Sequence, residues 1–226
     1  VLMSDKLIVK KTSDGSSTIY NKELDEHYHS VHGAVQESLH VFIKNGMEYF
    51  ISKYPSIEKI NILEVGFGTG LNSLLTLNHV QNMDYSVYYT ALEPDPVAMN
   101  LIQKLNFKLN KENDKIFKNS HDLSWQKPFQ LTSNFTLNKM KISLQDFKNK
   151  KTFQIVYFDA FGPRVENHLW NIDIFIKIYS LLEDGGIFVT YCAKGQVRRD
   201  LQSAGFDIER LPGPPGKREM LRGIKK

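Results

Sequence analysis

The sequence predicts a single α/β domain built on a Rossmann-like, doubly wound, mostly parallel sheet with an antiparallel edge strand. Three observations predict it. From Lys59 onward, short apolar runs alternate with helical runs long enough for crossovers. A glycine-rich turn, Gly66–Gly70, joins the first of these strands to the first helix. Near the C-terminal end, Phe206–Leu211 and Glu219–Ile224 flank Pro212-Gly213-Pro214-Pro215-Gly216 and read as an antiparallel pair at the sheet edge.

The 226 residues include 41% hydrophobic and 24% charged side chains, enough to bury one core. Cys192 is the single cysteine, so an intrachain disulfide and a thiolate metal cluster are excluded and a reducing, cytoplasmic compartment is expected. No apolar run approaches the ~18–20 residues of a membrane helix, and the first residues lack the apolar stretch of a signal peptide. Val1 and Leu2, which precede Met3, are set aside from the fold argument.

In chain order, Leu7–Lys10 and Thr18–Tyr20 form a hairpin about the polar turn at residues 12–17. Ala34–Tyr54 places Val35, Leu39, Phe42, Ile43, Met47 and Phe50 at helical spacing, with Pro55 just past its end. Residues 1–58 are thus a small hairpin and helix extension, and 59–226 the main domain. There the expected strands are Ile60–Val65, Val87–Leu92, Phe153–Phe158 and Gly186–Tyr191. The expected helices are Leu71–Val80, Pro96–Leu105, Leu169–Leu182 and Gln196–Ala204. His121–Asp146 is irregular, with Phe129–Leu131 and Phe135–Leu144 read as a hairpin leading to a further parallel strand.

The turn after Ile62-Leu63-Glu64-Val65 has the spacing Gly66-x-Gly68-x-Gly70 and an acid two positions before its first glycine. A carboxylate there is ill-matched to a pyrophosphate and well matched to a cationic ligand end, which favours S-adenosylmethionine over a dinucleotide. Glu64 is expected to meet that cationic end, directly or through water. Glu93 closes the next strand, where a carboxylate grips ribose hydroxyls. Asp146 either accepts from the adenine amino group or caps a helix starting at Phe147. No metal is expected. Phe153–Phe158 delivers Asp159 to the strand end that meets ligand, facing the transferable methyl group, and Phe161 is either a planar wall beside the substrate or a core plug.

Asp159-Ala160-Phe161-Gly162-Pro163 with Trp170 downstream resembles the signature of the methyltransferase domain in the bifunctional tRNA 5-methylaminomethyl-2-thiouridine biosynthesis proteins, MnmC, and of its stand-alone relatives. Glu37–Phe42, Gly66–Asn72 and two C-terminal stretches, Val197–Leu201 and Gly216–Leu221, are similar as well. One departure is Glu166-Asn167, where that family has Asn-Pro. The resemblance implies a class I S-adenosylmethionine-dependent enzyme that N-methylates the aminomethyl group of 5-aminomethyl-2-thiouridine at the wobble position of tRNA. It implies that Asp159 holds or accepts the amine proton with Phe161 beside the substrate, and that the flavin-dependent oxidase half, and hence flavin, is absent.

Net charge is +4, and the cations gather from Lys194 onward. Lys194, Arg198, Arg199, Lys217 and Arg218 are the expected phosphate contacts for the anticodon region of tRNA, with Phe161, Tyr191 and Trp170 as stacking candidates. Two other functions fit the same motifs: methyl or aminopropyl transfer to a small free amine, and a non-catalytic tRNA-binding module that kept the fold.

Overall fold

The computed structural model describes residues 6–149 and 151–226; Val1-Leu2 lie outside them. A three-stranded antiparallel sheet comes first: β1 (Leu7–Lys11), β2 (Ser17–Asn21) and the short β3 (Glu26–His27). β1 and β2 are the expected hairpin, and β3 adds a strand to it. The helix expected over Ala34–Tyr54 is present as α1 (Ala34–Ser38), a π-helical stretch (Leu39–Glu48) and α2 (Tyr49–Lys53).

The main sheet has eight strands in the order β10-β11-β9-β8-β4-β5-β7-β6. β4 (Lys59–Val65) pairs in parallel with β5 (Ser86–Leu92) and β8 (Phe153–Phe158), and β8 with β9 (Leu182–Thr190). β10 (Asp207–Pro212) and β11 (Glu219–Ile224) form the expected antiparallel edge pair, with β11 against β9. β6 (Lys127–Thr132) and β7 (Phe135–Met140) are a hairpin in which β7 itself pairs in parallel with β5.

Helices cover both faces, which is why the central strands are apolar on both sides. Leu63, Val65, Val156 and Phe158 face α6 (Ile172–Leu181) and α7 (Gly195–Ser203). Ile60, Ile62, Ile155 and Tyr157 pack on Val41, Phe42, Met47 and Phe50 of the N-terminal helix. Each such large side chain contributes about 1.5–3 kcal/mol by leaving water.

Two helical readings need correction, and one helix is not anticipated. Pro96–Leu105 shrinks to one turn, α4 (Met99–Ile102), because the backbone is still extended at Ala98, which is its N-cap residue. No helix starts at Phe147; Asp146 sits in a turn closed by the Phe147 N–H to Ser143 O at 3.0 Å. α5 (Lys111–Asp122), which periodicity does not announce, lies between α4 and the β6–β7 hairpin. α3 (Leu71–Val80) follows the glycine turn as expected.

Candidate active site

A cavity of ≈ 760 Å³ opens at the carboxyl ends of β4, β5 and β8 and is roofed by the loop after β3. Its floor is the turn Gly66-Phe67-Gly68. Gly66 has φ +89°, and a Cβ there would lie 2.7 Å from the Asp159 carbonyl oxygen; Gly68 has φ +50° and faces the Tyr28 ring. Only glycine lets two backbone segments meet this closely beside a ligand. Gly70 is set back from the cavity lining and caps the N-terminus of α3 in the left-handed conformation.

Glu93 lines the cavity. Its Oε2 accepts from Gly68 N–H at 2.9 Å and its Oε1 from Asp95 N–H at 3.0 Å, so each oxygen retains a lone pair for a ligand hydroxyl. Burial pushes this carboxyl up to about 7, against those two backbone bonds. The glycine floor and the Glu93 carboxylate are the residues that could hold the ribose and methionine portions of S-adenosylmethionine. Ile142, Ser143, Leu144 and Gln145 line the side where adenine would sit, whereas Asp146 is exposed, outside the lining, and accepts from Ser143 Oγ at 2.8 Å.

Glu64 does not line the cavity. It shares a sheet face with Ile60 and Ile62 by strand alternation and is 0% exposed. Asn72 on α3 joins it to the site: Nδ2 donates to Glu64 Oε1 at 2.9 Å and to Asp159 Oδ2 at 2.8 Å. Asp159 reaches the cavity from the end of β8. Burial, with the Glu37 carboxylate, pushes its carboxyl up to about 8, opposed by Asn72 and Lys217.

Phe161 is a cavity wall, not a core plug: it is half-buried and meets the Tyr28 ring edge-to-face at 4.9 Å. The chain at Phe161 is pinned twice, by its N–H to Glu166 Oε2 at 2.9 Å and by Trp170 Nε1–H to its carbonyl at 2.7 Å. Glu166, the departure from the family pattern, is therefore a brace of this loop. Arg164 ties the same loop to the N-terminal sheet by donating to Leu24 O, Asp25 O and Glu26 Oε2 at 3.1, 2.7 and 2.9 Å. Trp170 is 4% exposed, which removes it from the stacking candidates. Tyr191 lines the cavity, its hydroxyl donating to Ala160 O at 2.9 Å.

The basic cluster divides. Lys217 is ion-paired with the buried Glu37 and lies over the Tyr191 ring, so its charge is neutralised inside the site rather than held out for phosphate. Arg210, Arg222, Lys225 and Lys226 are also paired with carboxylates. Lys194, Arg198, Arg199 and Arg218 have no carboxylate partner among the described residues. Tyr28, Glu37 and Arg164 are among the cavity residues that sequence reasoning passes over. Glu37 lies in a stretch the family resemblance includes, and Tyr28 is the aromatic residue in the polar run before α1.

The family profile of S-adenosyl-L-methionine-dependent methyltransferases matches residues 102–226, more than half of the chain. The chain belongs to this family. Such a methyltransferase is similar over 96% of its length, at 29% identity, to the tRNA 5-methylaminomethyl-2-thiouridine biosynthesis bifunctional protein MnmC of Pseudoalteromonas atlantica. A protein of the same name from Cupriavidus metallidurans is 27% identical over 92% of the chain. The methyltransferase chain spans about a third of the length of these relatives, 33% and 32%. Among solved structures, MNMC2 from Aquifex aeolicus superposes with a TM-score of 0.81 at 24% identity, covering 97% of this chain and 70% of that one. The sugar N-methyltransferase KedS8 from Streptoalloteichus gives 0.51 at 12% identity, over 84% of this chain and 87% of that one. Both likenesses establish the class I methyltransferase fold. Among the described residues, no cluster of His, Cys, Asp and Glu is arranged to hold a metal ion, and no helix is long and apolar enough to cross a membrane.

Proposed function

We propose that this methyltransferase N-methylates the aminomethyl group of 5-aminomethyl-2-thiouridine at the wobble position of tRNA in the cytoplasm, giving 5-methylaminomethyl-2-thiouridine. The observation that carries the reading is Asp159: a carboxyl with a pKa near 8, at the strand end beside the cofactor turn, fixed by Asn72 and walled by Phe161 and Tyr28. The names of the similar bifunctional proteins support the choice of acceptor.

S-adenosylmethionine supplies an electrophilic methyl group on a sulfonium. The acceptor amine is mostly protonated near neutral pH and must lose a proton before its lone pair can attack. A cationic amine and a sulfonium both pull the Asp159 pKa down, so the loaded site holds the carboxylate that accepts this proton. Such proton transfer is worth about 10²–10⁴-fold. Phe161 and Tyr28 present ring faces and edges to a flat base, while Lys194, Arg198, Arg199 and Arg218 serve phosphates.

The carboxylates around the cavity, Glu26, Glu37, Glu93, Asp95, Asp159 and Glu166, would also attract a small free amine. Incubation with labelled S-adenosylmethionine and either tRNA carrying 5-aminomethyl-2-thiouridine or free polyamines, followed by nucleoside mass spectrometry, separates the two. Methylation of the nucleoside is the expected result. Label in the polyamine alone would overturn it.

A further inference from the structure

We infer that Glu64 is held as a neutral carboxylic acid whose O–H donates to Asn72 Oδ1, closing a cyclic acid–amide pair that fixes the second Asn72 N–H on Asp159. Asn72 and Glu64 are then positioning residues for the proposed proton acceptor, which reverses the expectation that Glu64 meets the cofactor as an anion.

The Glu64 carboxyl and the Asn72 amide, joined by one hydrogen bond, each keep an orphaned atom. Glu64 Oε2 and Asn72 Oδ1 are both buried without a hydrogen-bond partner, although the other atoms of the same two groups, Oε1 and Nδ2, are bonded at 2.9 Å. The Tyr89 hydroxyl beside Glu64 is orphaned as well and can donate to Oε2, but it does nothing for Asn72 Oδ1; a proton on Oε2 supplies the donor that Oδ1 lacks and leaves Oε2 able to accept from Tyr89. The amide orientation follows from Asp159: N–H₂ meets a carboxyl oxygen of both Glu64 and Asp159, whereas the reversed amide would set Oδ1 against those two oxygens. In a primary amide, the N–H on the carbonyl's own side closes such a ring, while the other points away from it. That second N–H is the one available for Asp159 Oδ2, 2.8 Å from Nδ2.

Electrostatics agree. The groups facing Glu64 are Asn72 on α3, Tyr89 on β5, Tyr157 and Asp159 on β8, and Glu93 after β5, so the charged neighbours are all acidic. No lysine, arginine or histidine pairs with Glu64 among the described residues. Burial without a cation drives its carboxyl well above the usual range.

The inference rests on the Asp159 reading only in its kinetic arm. Infrared spectroscopy of the folded Glu93→Gln protein, in which no Glu93 carboxyl contributes, with glutamate carboxyls carbon-13 labelled, should show a protonated-acid carbonyl band near neutral pH that adding Glu64→Gln deletes. Glu64→Gln, whose amide can close the same ring, should keep S-adenosylmethionine affinity within about 3-fold. Absence of the band, or a loss of cofactor affinity beyond ~10-fold, would show an ionised Glu64 serving the cationic end of the cofactor and overturn the inference. In single-turnover methylation, Asn72→Ala should lower the rate ~10-fold or more and move its pH profile upward, because the bond that favours ionised Asp159 is gone. Glu64→Ala should lower the rate similarly, with Glu64→Gln recovering most of the loss. An unchanged profile in Asn72→Ala would sink the positioning role. If tRNA proves not to be the acceptor, the infrared and cofactor-binding arms still decide the protonation state.

Discussion

Lys217 lies with its ammonium 3.8 Å from the centroid of the Tyr191 ring, between that ring and the carboxylate of Glu37. The cation that acts on Asp159 is thereby committed to the protein. This separates two roles that the sequence places together. Replacing Arg198 or Arg199 by Gln should weaken tRNA binding and reduce the slope of log affinity against log salt by about 0.7–1 per charge. Lys217→Met should leave that slope in place and instead shift the pH dependence of methylation upward, since a cation favouring ionised Asp159 is lost. Filter binding over a salt series and pH–rate profiles check both.

Gly68 tests the cofactor floor. Its φ of +50° disfavours a β-branched side chain, and a Cβ would meet the Tyr28 ring at 3.3 Å. Gly68→Val should abolish S-adenosylmethionine binding in calorimetry while circular dichroism shows a folded domain. Gly68→Ala, with less to displace, should weaken binding by a smaller factor. Full affinity in a folded Gly68→Val protein would remove this turn from the site.

Most of the sheet is legible because the strands buried on both faces are continuous apolar runs punctuated by glycine and proline. α5 is not. Lys111–Asp122 buries only Asn113, Phe117 and Ser120, so it has almost no apolar stripe, and its start is marked instead by Asn110 accepting from Asn113 N–H at 2.8 Å. The residues drawn into the cavity from far along the chain are equally silent. Glu37 reaches Lys217 across 180 positions, and Arg164 reaches the N-terminal sheet across about 140. Asp159, Glu93 and the glycines could be named in advance because they sit at strand ends, where the fold dictates the destination of the side chain. Glu64 sits one pleat deeper, and the same alternation that makes its strand recognisable turns it away from the ligand.

Glu93 gives a pH dependence. Its carboxyl is raised to about 7, and it serves ribose hydroxyls best as an anion, so cofactor affinity should fall as pH drops below about 7. Binding at pH 7 should release protons, seen as a dependence of calorimetric enthalpy on buffer ionisation heat. Stability of the ligand-free protein has the opposite sign. A carboxyl that ionises less readily when folded favours the folded state at low pH, and that contribution is lost as pH rises from the unfolded value through about 7. Glu93→Gln should flatten both trends.

Asp159→Asn tests the chemistry. The substitution keeps size and permits a hydrogen bond with Asn72, but removes the group that takes the amine proton. S-adenosylmethionine should bind with near wild-type affinity, because Glu93 and the glycine floor are intact. Single-turnover methylation of tRNA carrying 5-aminomethyl-2-thiouridine should slow by at least ~10² near neutral pH. Part of that loss should return at higher pH, where more of the amine is already neutral and needs no acceptor. In the wild type the rate should rise with pH as Asp159 and the amine both deprotonate, then level off; the mutant should keep only the amine's share of the rise. Turnover near wild type at neutral pH would refute the proton-acceptor role, and joint loss of activity and cofactor binding would place Asp159 among the residues that hold S-adenosylmethionine.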